Sequence, residues 1–128
     1  MSTPNTSAIL RALLLLCVVQ VATAQHLTEQ HIPVGAYPEL VGVDVTVCTI
    51  VAVDPRERTI TVQKDGSEQR FRVTDDTKIW LDRSRLAQPA VGGNLADVAP
   101  GLAAEIRSVG PEQPDAAYWV KVQITAAQ

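Results

Sequence analysis

The chain holds two histidines, His26 and His31, both inside the stretch VATAQHLTEQHIP. Their chemistry depends on what precedes them. If a leader is cut after Ala24, Gln25 becomes the first residue and His26 the second. A free amine, the next amide nitrogen and an imidazole together chelate Cu(II), a metal that nitrogen donors suit. His31 reaches the same ion if the segment folds back. A cut one residue later makes His26 the first residue instead. The alternative is an exposed tail whose two histidines bind nothing specifically, and cyclisation of Gln25 would remove the amine. A Cu(I) carrier would need soft sulfur, but Met1 is the only methionine and would leave with the leader.

A second set of residues suits recognition rather than metal binding. Trp80 and Trp119 fall on the polar parity of their strands, and Arg83 and Arg85 follow Trp80 closely. Exposed aromatics on a small barrel stack on sugars or on a partner protein. Alternatively, each Trp packs under a loop or under the lead-in segment. Asp75, Asp76 and Asp82 are too few for Ca²⁺, which takes about 6–8 oxygen ligands, and read as turn residues. No G-x-S-x-G, H-E-x-x-H or Gly-rich phosphate loop occurs, so no enzyme activity is expected.

Alternating stretches must position these residues. VGVDVTVCTIVAVD reads as a long first strand, with Val43, Val45 and Val47 on one face and Asp44 and Thr46 on the other. Ile50 and Val53 break that parity, which predicts double-sided burial or a bulge near Cys48. Asp54 to Arg58 is a Pro-containing turn. TITVQ places Ile60 and Val62 inward. Asp65-Gly66 marks a tight hairpin, and its partner strand turns Phe71 and Val73 inward. KIWL is a short strand, and Asp82 to Gly93 reads as irregular. Asn94 to Val98 is the one helical candidate after the leader, capped by Asn94 and stopped by Pro100-Gly101. Two strands follow, with Ala104 and Ile106, then Val120, Val122 and Ile124, facing inward.

The domain plan follows from the ends. Residues 1–24 combine one Arg, an apolar run and an A-x-A end, the pattern of a secretory signal peptide. The run is shorter than the about 20 residues of a membrane span. Cys17 offers a lipoprotein alternative, although Leu16 stands where a small residue is usual. Residues 25–40, broken by Pro33, Gly35 and Pro38, read as a linker or extended lead-in. Residues 41–128 form one β domain. The whole chain has a net charge of −3, and losing Arg11 with the leader makes it one unit more negative, which argues against nucleic acid as a partner. Cys48 is then the only cysteine, so no disulfide staples the domain. It is either a buried small hydrophobe or an exposed thiol.

The resulting expectation is an all-β, OB-like closed barrel of five to six strands with one short helix; a six-stranded barrel or roll of other connectivity is the rival. CTIVAVDPRERTITV, FRVTDDTKI and LADVAPGLAAEIRS together resemble small exported bacterial domains of the family called domain of unknown function 5666. Cys48-Thr49 stands where that family has Gly, and Leu102-Ala103 where it has Asp and a basic residue. The resemblance implies an exported OB-like domain and supplies no catalytic residues. The expected function is an exported, periplasmic or secreted, non-catalytic binding or assembly module. Its partner would be a protein or glycan of the cell envelope. A copper-binding accessory protein using His26 is the alternative.

Overall fold

The computed structural model describes residues 29–40 and 42–126. The proposed signal peptide, the Gln25 terminus and His26 lie outside the described residues. The chain forms seven strands: β1 (Val45–Asp54), β2 (Thr59–Lys64), β3 (Ser67–Arg72), β4 (Lys78–Asp82), β5 (Val91–Gly92), β6 (Ala103–Gly110) and β7 (Gln113–Gln123). They lie in the order β3-β2-β1-β6-β7-β4-β5. A parallel bridge from Arg72 to Ala116 joins β3 to the first part of β7 and closes a ring of β1, β2, β3, β7 and β6. This is the connectivity of an OB-type barrel. The closing point is reinforced by the ion pair of Arg72 with Asp115 at 2.9 Å and by Thr77, whose hydroxyl donates to the Ala117 carbonyl at 2.7 Å.

Local chemistry explains the turns. Asp54 accepts from the amides of Arg56 and Glu57, so its carboxylate substitutes for backbone pairing in the Pro55 turn. Asp65 and Gly66 both have positive φ, 51° and 80°, the requirement of a two-residue I′ hairpin. The helical candidate is one 3-10 turn, Leu95–Asp97, closed at its start by a reciprocal pair: Asn94 accepts from Ala96 N–H, and Asp97 accepts from Asn94 N–H.

Inside the ring, Ile50, Ile60, Val62, Phe71, Ala104, Ile106, Val120 and Val122 are all at most 1% exposed. These match the inward residues expected for β2, β3, β6 and β7. The first strand differs. Thr46, Cys48 and Ile50 point inward, while Val47 is 46% exposed. The bulge lies between Ile50 and Ala52, just beyond the expected site near Cys48. The reason is that β1 serves two partners. Its first half pairs with β6, where Cys48 faces the small Ala104. Its second half pairs with β2, and the extra residue re-aims the chain so that Val53 also packs on the core.

The segment from Asp82 to Gly93, expected to be irregular, contains a 3-10 turn (Ser84–Leu86) and β5. Strand β5 pairs with β4, which itself runs parallel to the second half of β7, from Trp119 to Gln123. Strands β4 and β5 therefore widen the barrel wall beside β7. The last strand begins at Gln113 rather than near Tyr118, because its early residues close the ring.

Candidate functional site

The outer face of β1, β6, β7 and β4 carries two cross-strand rows. Registers align Val47, Glu105, Lys121 and Trp80 in one row, and Val45, Arg107, Trp119 and Lys78 in the next. Opposite charges and an aromatic thus stand side by side, as cross-strand pairs favour. Outward parity for Trp80 and Trp119 agrees with the sequence reading. Exposure does not: Trp119 and Lys121 are both 0% exposed, Glu105 is 1% and Asp82 is 3%.

The cover is residues 29–40, part of the stretch expected to be a linker or an extended lead-in; it is a lead-in packed on the barrel wall. It starts with a 3-10 turn, Glu29–His31, and makes polar contacts along its length. The Glu29 carboxylate accepts from Trp119 Nε1 at 2.9 Å, from Tyr37 hydroxyl at 2.8 Å and from Arg107 Nη1. Lys121 Nζ donates to the Ile32 carbonyl at 2.6 Å. Asp82 accepts from Val34 N–H at 2.8 Å and from Ser84 N–H at 2.9 Å. Gln30 donates to the Ala90 carbonyl at 3.3 Å. Aromatic contacts complete the seal. The Tyr37 ring meets Trp119 edge-on, with centroids 5.7 Å apart, and Trp80 lies tilted on Trp119 at 5.6 Å. Lys121 Nζ sits 4.7 Å from the Trp119 ring centroid, a cation–π contact.

Electrostatics follow burial. Burial is the main influence that raises Glu105 above the usual carboxylate range, and the nearby Lys121 only partly offsets it. Burial likewise lowers Lys121, against the pull of Glu105 and Asp82. The two side chains pair at 3.7 Å, and Glu105 Oε2 has no hydrogen-bond donor among the described residues. Asp82 goes the other way. Burial would raise it, but the combined donors from Val34 and Ser84 hold it below its ordinary value. Burial and then the Glu29 hydrogen bond raise the Tyr37 phenol.

Several expectations are corrected here. Of the two readings for Trp119, the exposed stacking platform gives way to the alternative: the lead-in roofs it. Trp80 is half-buried against it. Arg83 is tied to the Pro89 carbonyl at 2.9 Å, and Arg85 is exposed on the 3-10 turn; neither hydrogen-bonds within the cluster. Asp82 is no turn residue but the buried end of β4 that holds the lead-in, whereas Asp75 is exposed and paired with Arg58 at 2.6 Å. Cys48 is the buried alternative: the residue is 6% exposed, and its thiol donates to the Ala104 carbonyl at 3.6 Å and is pushed up to about 11 by burial. His31 is exposed at the end of its turn. Among the described residues, no three His, Cys, Asp or Glu side chains are grouped to hold a metal ion.

The residues missed by sequence reasoning are Glu29, Tyr37, Glu105, Arg107 and Lys121. Their one local signal is that Lys121 stands two residues from Trp119 on the same face of β7. A large aromatic and a lysine sharing the outer face of a central strand call for a cover.

No protein-family model matches the chain, and no curated protein matches it. Among solved structures, the chain is similar to a Cu(II)-bound variant of CusF from Escherichia coli. The identity is 16% and the TM-score 0.44, over 67% of this chain and 98% of that one. It is also similar to Ag(I)CusF, at 16% identity and a TM-score of 0.45, over 66% and 99%. At this distance neither structure assigns a residue or a ligand here. The chain's own strand order defines its class, a small OB-like all-β barrel. Among the described residues, no helix is long and apolar enough to cross a membrane.

Proposed function

We propose that the chain is an exported, non-catalytic binding module whose recognition surface is the outer face of β6, β7 and β4, occupied in cis by residues 29–40. One observation carries this reading. Three ionisable side chains, Asp82, Glu105 and Lys121, are almost fully buried on that face. Apolar residues of similar volume would give equal or greater stability there. Two of the three contact the lead-in by donating to or accepting from its backbone. Together with the bound Glu29 carboxylate, they read an extended acidic peptide. The A-x-A leader pattern supports export, and the acidic balance supports a protein rather than a nucleic-acid partner.

The test uses the two tryptophans, both in the cluster, as reporters. A synthetic peptide of residues 25–40 is titrated into the intact chain and into its Glu29→Ala variant. The variant should show a saturable change in Trp emission. The wild type should respond at least about tenfold more weakly, because its tethered segment competes at high effective concentration. No response in the variant, or equal responses, would contradict the reading.

A copper-binding N-terminus is the second reading. The exposure of His31, five residues from His26, favours it. Protein with a verified N-terminus should then bind one Cu(II), and His26→Ala should abolish this; unchanged binding in that variant removes the copper reading.

A further inference from the structure

Residues 33–36 make a tight turn in the middle of the lead-in. The Ala36 amide donates to the Pro33 carbonyl at 3.0 Å, and Gly35 has a φ of 86° while Val34 keeps a negative one. Positive φ at the third position alone defines a type II turn, which glycine adopts without steric cost. Nothing lies within 4 Å of the place a Cβ would take on Gly35. Backbone conformation, not crowding, therefore calls for glycine there.

The barrel wall holds this turn by its main chain. Val34 N–H, at the second position, donates to Asp82 at 2.8 Å. Burial raises Glu105, and the Gly35 amide is among the groups that oppose the rise. One residue before the turn, the Ile32 carbonyl accepts from Lys121 at 2.6 Å. Such contacts ask for a shape, which any sequence able to make the turn supplies. Side-chain contacts stand at the two ends. Glu29 accepts from Trp119 Nε1 at 2.9 Å and from Arg107, beside Gln30 on the Ala90 carbonyl. Tyr37, two residues past Gly35, puts its ring centroid 5.7 Å from that of Trp119 and 5.9 Å from Lys121 Nζ. His31, Pro33 and Ala36 are exposed between these anchors.

We propose that the face accepts partner-protein segments of the pattern Glu-x-x-x-x-x-Gly-x-aromatic, selected for a glycine turn held between an anchoring carboxylate and an anchoring ring. This selectivity rests on the peptide-binding function proposed for the face. An acidic peptide without the turn can bring a carboxylate to Trp119 and Arg107, but it cannot aim consecutive amides at Asp82 and Glu105.

Synthetic peptides of residues 25–40, titrated into the intact Glu29→Ala chain and followed by Trp emission, test it. The Gly35→Ala peptide should bind about five- to thirtyfold more weakly than the native one, because an L residue is strained at positive φ. A peptide with D-alanine at that position, for which positive φ is the unstrained region, should bind within about twofold of native. Tyr37→Leu should weaken binding about three- to tenfold, and His31→Ala should leave it unchanged. Equal binding of the native and Gly35→Ala peptides, or a D-alanine peptide as weak as its L counterpart, would overturn the selectivity and leave peptide binding standing. No response to the native peptide would overturn both. Within the intact chain, Gly35→Ala alone should red-shift Trp emission as the strained turn loosens the roof; unchanged emission would contradict the role given to the turn.

Discussion

Lys121→Met is expected to lower the unfolding free energy by about 3–5 kcal/mol, whereas Glu105→Leu combined with Lys121→Met should recover most of that loss. The single change leaves the Glu105 carboxylate, 1% exposed, without its cation. The double change leaves no buried charge in that row. Urea unfolding measures both. The pH dependence has a definite sign. Burial raises Glu105 in the folded state, so its stabilising contribution is full below the unfolded value of about 4.3 and is lost as pH rises through the folded value. The Lys121→Met variant should therefore gain stability on acidification from neutral pH towards that range, and more so than the wild type. Asp82, held low by Val34 and Ser84, acts in the opposite sense. Its contribution is present above the unfolded value of about 3.9 and disappears as pH falls through its lower folded value. A double variant as unstable as Lys121→Met would show that the Glu105–Lys121 pair is not the source of the loss.

Glu29→Ala is the second large effect, a destabilisation of about 2–3 kcal/mol. One carboxylate satisfies the Trp119 indole, the Tyr37 hydroxyl and the Arg107 guanidinium. Its removal leaves the Trp119 N–H, in a residue that is 0% exposed, without an acceptor unless the lead-in lifts and admits water. For a domain of this size the midpoint should fall by about 10–20 °C, with a red shift in Trp emission. Glu29→Gln keeps one acceptor oxygen and should lose less. An unchanged midpoint would mean that the lead-in is held by its backbone contacts alone.

Features set by neighbouring residues were legible in the sequence. Asp65-Gly66 specified its hairpin because both residues tolerate positive φ. Asn94 identified its cap, and alternation placed Ile60, Val62, Phe71, Val120 and Val122 inside. Alternation separated the two faces of the first strand and its break foretold a bulge, but it could not say which face met Ala104 and Ile106, because the core face carries Thr46 and Cys48 while the valines Val45 and Val47 lie opposite. Strand β5 is only two residues long and exists through its pairing with Trp80 and Leu81, which leaves no local signature. The candidate site was hidden for the same reason. Glu29 and Trp119 meet across 90 residues of sequence, and a stretch broken by Pro33, Gly35 and Pro38 looks like a linker until its partners are known. Parity put Trp119 on the correct face and left two readings open, an exposed platform or a residue packed under the lead-in; only long-range contacts decide between them.

Whether residues 29–40 are latched over Trp119 can be read from hydrogen exchange of the Trp119 indole N–H, followed by NMR in the intact chain. Slow exchange of that proton and of the Val34 amide is expected in the wild type, with the indole losing protection in Glu29→Ala. An indole that exchanges in the wild type as fast as a solvent-exposed tryptophan would contradict the latch.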